Sequence, residues 1–180
     1  MQSELLREDW KEQLATLFHR ASERVLISSP FVSRSGVDFL MDHLSSSVQD
    51  HGSVQVLANL SPQNIVQGAT EPESLQRLNG AVSETIIHHL PGLHAKVYVA
   101  DTREAIVTSG NLTAGGLEKN YEYGVVTNDE EAIAVIRDDL EEYAGLGAQV
   151  GGDELKSYID AAREVRTTFR EQQQSQEETA

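Results

Sequence analysis

Between residues 94 and 122 the chain sets out side chains that move protons and carry charge at short intervals: His94, Lys96, Asp101, Ser109, Gly110, Asn111 and Glu122. His94 and Lys96 are two apart on a predicted strand, so both side chains leave one face, about 7 Å apart along it. An imidazole beside an ammonium offers a nucleophile or acid/base next to a fixed positive charge. That is the equipment for attacking a phosphodiester, where non-bridging oxygens must be neutralised and protons moved. At Ser109-Gly110-Asn111 a hydroxyl, a carboxamide and backbone N–H groups on a tight turn suit a tetrahedral oxyanion.

Glu122 opens another predicted strand and is expected to accept a hydrogen bond from the second nitrogen of His94, as an orienter. Asp101 sits at the far end of its strand, facing a turn, and reads as a structural residue that binds Arg103 or backbone N–H groups. His88, His89 and His94 do not make a metal set, because neighbours on a strand point to opposite faces and no carboxylate has useful spacing. Neither metal nor cofactor is expected. Tyr98, Tyr121 and Tyr123 are able to stack on a base, but isolated aromatics read first as packing.

The elements that position these groups follow from periodicity. Leu5, Leu6, Trp10, Leu14, Leu17, Phe18 and Ala21 trace one helical stripe. Arg24 to Val32 and Val54 to Leu60 read as strands, with a helix between them from a Ser35 cap and a loop plus short helix over 61–80. Four short strand-like runs follow, Val82 to His88, His94 to Ala100, Glu104 to Thr108 and Glu122 to Thr127, separated by turn residues. Helix returns after Asn128 with an acidic face expected to be solvated, and Gly145 to Gly152 breaks it. A last helix is expected from about Asp153 to Arg170. The pattern predicts an α/β fold, a mixed sheet flanked by helices on both faces, as a single domain over 1–170. The Gln/Glu-rich segment 171–180 is expected to be disordered.

Composition narrows the class. The 180 residues include no cysteine, which removes disulfides, thiolate nucleophiles and Cys-type zinc sites. No apolar run approaches the ~20 residues of a membrane span and residues 1–4 show no signal-peptide pattern, so a soluble cytoplasmic protein without stable membrane association is expected. The net charge is −15, from 29 acids and 14 bases. Such a field repels polyanions, and it is also what adaptation to high salt produces.

With its spacing, LHAKVYVADTREAIVTSGNLTAGG resembles the signature of the phospholipase D superfamily, histidine-x-lysine-x4-aspartate-x6-glycine-serine-x-asparagine. His94, Lys96, Asp101, Ser109 and Asn111 fall in register. Thr108 stands where the family has glycine. RVLISSPFV, SGVDFL, VQVLANLSPQN and NLTAGGLEKNYEYGVV are similar to single-motif members. The resemblance implies a phospholipase D-like sandwich and a two-step phosphoryl transfer through a phosphohistidine. One motif's histidine attacks phosphorus, and the other's protonates the leaving oxygen and then activates water. This chain holds one histidine-x-lysine pair, so a homodimer is expected to complete the site. The expected function is a metal-independent phosphodiesterase, a nuclease with DNA favoured over RNA. The alternatives are a phospholipid hydrolase or phosphatidyltransferase, and a catalytically weak binding or regulatory module of a defence or helicase assembly.

Overall fold

The computed structural model describes residues 3–7 and 9–177. Its centre is an eight-stranded sheet in the order β1-β7-β6-β5-β2-β3-β4-β8. β2 (Arg24–Ser28), β3 (Ser53–Ala58) and β4 (Glu84–His89) run parallel, while β5 (Val97–Ala100), β6 (Glu104–Thr108), β7 (Gly124–Thr127), β1 (Ser3–Leu6) and β8 (Ala148–Gln149) pair antiparallel with their neighbours. The sheet is therefore mixed. Its central strands are apolar on both sides because helices cover both sides. Val25, Ile27, Val54, Val56, Tyr98 and Ile106 join one core with α1 (Trp10–Arg20), α2 (Arg34–His43), α5 (Pro72–Asn79) and α7 (Gly152–Glu177). Leu26, Leu57, Val97, Val99 and Ala105 pack on the opposite face against Ile133, Leu140 and Ala144 of α6 (Glu130–Leu146). Two short helices, α3 (Ser46–His51) and α4 (Pro62–Val66), complete the connections.

Several local expectations shift. Leu5 and Leu6 belong to edge strand β1, not to the first helix, and pair with Val125 and Gly124. Two leucines at helical distance from Trp10 fit either period, and a long-range partner decides between them. The cap of α2 is Ser33, whose Oγ accepts from Gly36 N–H at 3.4 Å, where Ser35 was expected. The break at Gly145 to Gly152 contains β8, two residues that pair with His88 and His89. α7 continues to Glu177, so residues 171–177 are helical where disorder was expected, and 178–180 lie outside the described residues.

The tight turn between β5 and β6 carries Asp101 in left-handed backbone, φ 55°, a conformation that Asp tolerates better than most residues. Its carboxylate accepts from the backbone N–H groups of Ser22 (3.0 Å), Glu23 (2.9 Å) and Arg24 (2.9 Å), and it pairs with Arg103. These bonds fasten the start of β2 to the end of β5. Burial alone would raise the pKa of Asp101, but the N–H donors of Arg24 and Glu23, then Arg103 and Ser22, hold it down to about 2. The folded value lies below the unfolded one, so the contribution is complete above about pH 4 and is lost as pH falls toward 2. Asp101→Asn is expected to cost about 2 kcal/mol at pH 7 and almost nothing near pH 2. Urea unfolding of both proteins across that range measures it.

Candidate active site

The C-terminal ends of β2 and β6 and the chain entering β5 and β7 meet at one edge of the sheet, the edge where open α/β sheets hold ligands. His94 and Lys96 lie just before β5, in extended chain that still pairs with β6 through Thr108 N–H to Lys96 C=O at 3.0 Å. As expected, their side chains share a side: Lys96 Nζ is 3.2 Å from His94 Nδ1 and donates to the His94 carbonyl at 2.8 Å. His94 is exposed and Lys96 is buried around its stem. Burial lowers the pKa of Lys96, and the nearby charge of Glu122 opposes that shift.

Asn111 reaches the same edge from beyond β6. Its Oδ1 accepts from Phe31 N–H at 3.4 Å, and among the described residues its Nδ2 has no partner, leaving a donor over the strand ends. The backbone around Asn111 and beside His94 is locked by serine side chains at and after the end of β2. Ser28 Oγ donates to Ala95 C=O (2.9 Å), Ser29 Oγ accepts from Leu112 N–H (2.9 Å), and Ser33 Oγ accepts from Ala114 N–H (3.3 Å). The signal for the first two was a polar Ser-Ser pair closing an otherwise apolar run.

Three expected site residues stand differently. Glu122 lies in the loop before β7, and among the described residues no hydrogen bond joins it to His94. It accepts instead from Ser109 Oγ and from Asn120 Nδ2 (3.1 Å). Ser109 Oγ also accepts from Tyr123 N–H (3.0 Å), so its hydroxyl is already engaged on both sides. Gly110 is buried, with its N–H turned to Thr108 Oγ1 (3.2 Å), so that N–H does not face a ligand. Glycine is required at 110 because a Cβ would meet the Trp10 ring at 2.6 Å. Tyr98 is fully buried beneath this loop and donates to Gly110 C=O at 3.0 Å. Burial pushes its pKa up, so it stays un-ionised. Asp101 lies at the other end of β5, away from His94.

Thr108, in the position of a family glycine, pairs across the ladder with Gly124, and its Oγ1 donates to Tyr123 C=O at 3.1 Å. His88 and His89 split between faces. His89 Nδ1 accepts from Leu60 N–H (3.0 Å), whereas His88 Nδ1 is buried and has no partner among the described residues. Among the described residues no group of three or more His, Asp and Glu is placed to hold a metal, and no helix is long and apolar enough to cross a membrane.

The profile of a family described as cardiolipin synthase, PLD-like domain, matches residues 14–144. The chain belongs to this phospholipase D-like family. No curated protein matches its sequence. Among solved structures, Nuc from Salmonella typhimurium, described as a phospholipase D family member, shares 13% identity at a TM-score of 0.65, covering 82% of this chain and 97% of that one. NucT from Helicobacter pylori shares 18% at 0.61, covering 82% and 98%. Phosphatidylserine synthase from Haemophilus influenzae Rd KW20 shares 15% at 0.60, covering 91% of this chain and 43% of the synthase. At these identities the structures establish a shared fold. The family match makes the chain a member of the phospholipase D-like phosphodiesterases.

In this phospholipase D-like chain the buried ammonium is a cost to folding. With its pKa below the ordinary lysine value, Lys96 binds its proton less tightly folded than unfolded, so stability rises with pH through that interval. Lys96→Met keeps the apolar stem and removes the charge. It is expected to leave the thermal midpoint unchanged or raised while lowering phosphodiester cleavage by about 10³-fold. Calorimetry beside an assay on bis-(p-nitrophenyl) phosphate checks both halves.

Proposed function

We propose that this chain hydrolyses phosphodiester bonds of nucleic acid without a metal, in a site that two copies share. The observation that carries the reading is the His94–Lys96 pair at the sheet edge, with the ammonium 3.2 Å from Nδ1 and only one such pair per chain. His94 attacks phosphorus, a P–N bond forms and the bond to the leaving oxygen breaks. The partner subunit's His94 donates the proton that this oxygen needs. The partner's ring then takes a proton from water, the hydroxide oxygen bonds to phosphorus, and the P–N electron pair returns to His94. Lys96 of each copy and the free Nδ2 of Asn111 neutralise the equatorial oxygens.

The two roles need different protonation states of one ring. The attacking His94 is neutral with a lone pair toward phosphorus, and the partner subunit's His94 begins as an imidazolium, so that giving its proton to the leaving oxygen leaves a neutral ring able to take one from water. Lys96 beside Nδ1 and the charge of Glu122 near Lys96 are the groups that bias that balance. Ser109 acts here by holding Glu122, and Gly110 by letting the loop pass under Trp10.

Nucleic acid is favoured over lipid because the helices offer no basic amphipathic face. α6 and α7 both open with acids and have no basic residue in their last turns. The likeness to phosphatidylserine synthase and the family's description support phosphatidyl transfer as the second reading.

His94→Ala is expected to lower cleavage of bis-(p-nitrophenyl) phosphate by more than about 10³-fold with unchanged circular dichroism. Residual activity within about tenfold of the parent would remove His94 from the mechanism. Dialysis against EDTA is expected to leave the rate unchanged, and loss restored by Mg²⁺ or Zn²⁺ would show that Lys96 is not the main electrostatic element. Plasmid, single-stranded DNA and phosphatidylglycerol vesicles offered in parallel decide between the two substrate readings.

A further inference from the structure

The carboxamide of Asn111 is held weakly by its own bond. Phe31 N–H donates to Oδ1 at 3.4 Å, a long contact that leaves the group free to turn unless the backbone beneath it is fixed. That backbone follows the end of β6 and is irregular. Asn111 C=O accepts from Thr113 N–H at 2.8 Å, Leu112 C=O accepts from Ser33 N–H at 3.1 Å, and the Leu112 side chain is fully buried. A group that meets developing charge has to stay within about 0.5 Å of its productive position, so whatever sets this backbone also sets Nδ2.

Two glycines from distant parts of the chain lie against it. Gly116 belongs to the π-helical turn Gly115–Lys119, and a Cβ on it would stand 2.3 Å from the Asn111 carbonyl oxygen and 2.7 Å from the Asn111 nitrogen. Gly36 sits in the first turn of α2, where a Cβ would stand 1.9 Å from the Leu112 carbonyl oxygen. Packed atoms keep about 3.5 Å apart, so alanine at either position displaces the Asn111–Leu112 backbone by about 1 Å or more.

Backbone conformation does not demand glycine at either place. Among the described glycines Gly68 alone has a left-handed φ, so Gly36 and Gly116 adopt angles open to any residue. Inside a helical turn glycine is otherwise a poor choice beside alanine, because it gives up more chain entropy. The close contact is what remains to explain it. Gly115, in the same turn as Gly116, provides the contrast: a Cβ there would meet nothing nearer than 3.6 Å.

We infer that Gly36 and Gly116 are positioning residues for the proposed phosphoryl transfer, clasping the Asn111–Leu112 backbone so that Asn111 Nδ2 is aimed at the phosphate. This rests on the role proposed above for Asn111. Gly36 acts through the Ser33–Leu112 hydrogen bond, since a Cβ at 36 strikes the accepting oxygen itself. Gly116 acts through the turn in which Thr113 N–H meets Asn111 C=O. Neither glycine touches substrate. Their influence belongs to the transition state, where Nδ2 meets charge on an equatorial oxygen, and it falls on kcat more than on KM.

The test places Gly116→Ala, Gly36→Ala and the control Gly115→Ala in the parent and again in Asn111→Ala, with bis-(p-nitrophenyl) phosphate as substrate and circular dichroism as the check on folding. In the parent, Gly116→Ala and Gly36→Ala are each expected to lower kcat by about 10- to 100-fold with KM changed less than about twofold, while Gly115→Ala stays within about twofold of the parent. In the Asn111→Ala background the same two changes are expected to cost less than about twofold, because the group they act through is gone. A loss as large there as in the parent gives the glycines a merely structural role and overturns the inference. A folded variant that keeps the parent's kcat overturns it for that glycine. Where one of the two does not fold the other decides, and failure of both beside a folded Gly115→Ala overturns the inference, since the contact then holds the fold and not the carboxamide. An Asn111→Ala protein as active as the parent removes the proposed role of Asn111 and this inference with it, whereas an inactive one beside a fully active Gly116→Ala and Gly36→Ala removes the inference alone.

Discussion

The site hangs on the end of one strand. Where β2 runs out, Ser28 takes the carbonyl of Ala95, Ser29 takes the N–H of Leu112, and Phe31 N–H takes the side chain of Asn111. The segment carrying His94 and Lys96 and the segment carrying Asn111 are therefore fixed to the same short piece of chain, though neither is hydrogen-bonded side chain to side chain with the other. Ser28 and Ser29 are fully buried, and a buried N–H or C=O stripped of its partner costs about 1–3 kcal/mol. The arrangement is thus expensive to break at any single point. Asp101 serves the opposite end of β2 in the same manner, so the strand that positions the candidate site is clamped at both ends.

Electrostatics at this edge run against the rest of the molecule. The chain carries −15 overall, yet among the described residues one lysine, Lys96, is buried, placed against an imidazole and within the field of Glu122. A fixed positive charge of low solvation exerts more force on an arriving phosphate than a surface lysine, because little water has to be displaced or reoriented. Acids open both α6 and α7, and salt weakens the long-range repulsion of such surface charges more than the short-range attraction of Lys96.

The sequence made His94, Lys96 and Asn111 legible because their chemistry and their spacing agree, and period-2 geometry correctly put the first two on one side. Glu122 is near enough to act on the charge of Lys96, and it accepts from Ser109 and Asn120 where a bond from His94 is expected from the sequence. Its neighbours Ser109 and Asn120 compete for the same oxygens, and no spacing rule ranks three short-range donors. Gly110 was read for its N–H, when the demand on it is steric and comes from Trp10, a hundred residues away in the chain. The fold class followed from alternation, but β1 and β8 did not. Leu5-Leu6 and Ala148-Gln149 are too short to show a period and are strands only because β7 and β4 offer them a partner. Local pattern carries the middle of the sheet, and long-range pairing supplies its edges.

Thr108 and Gly124 face each other across the β6–β7 ladder, and a Cβ on Gly124 would lie 2.9 Å from the Cβ of Thr108 and 2.7 Å from Val107 C=O. Glycine at 124 is therefore demanded by the β6 backbone as well as by the side chain at 108, and the threonine that stands where the motif has glycine finds room because the residue across the ladder from it carries no side chain.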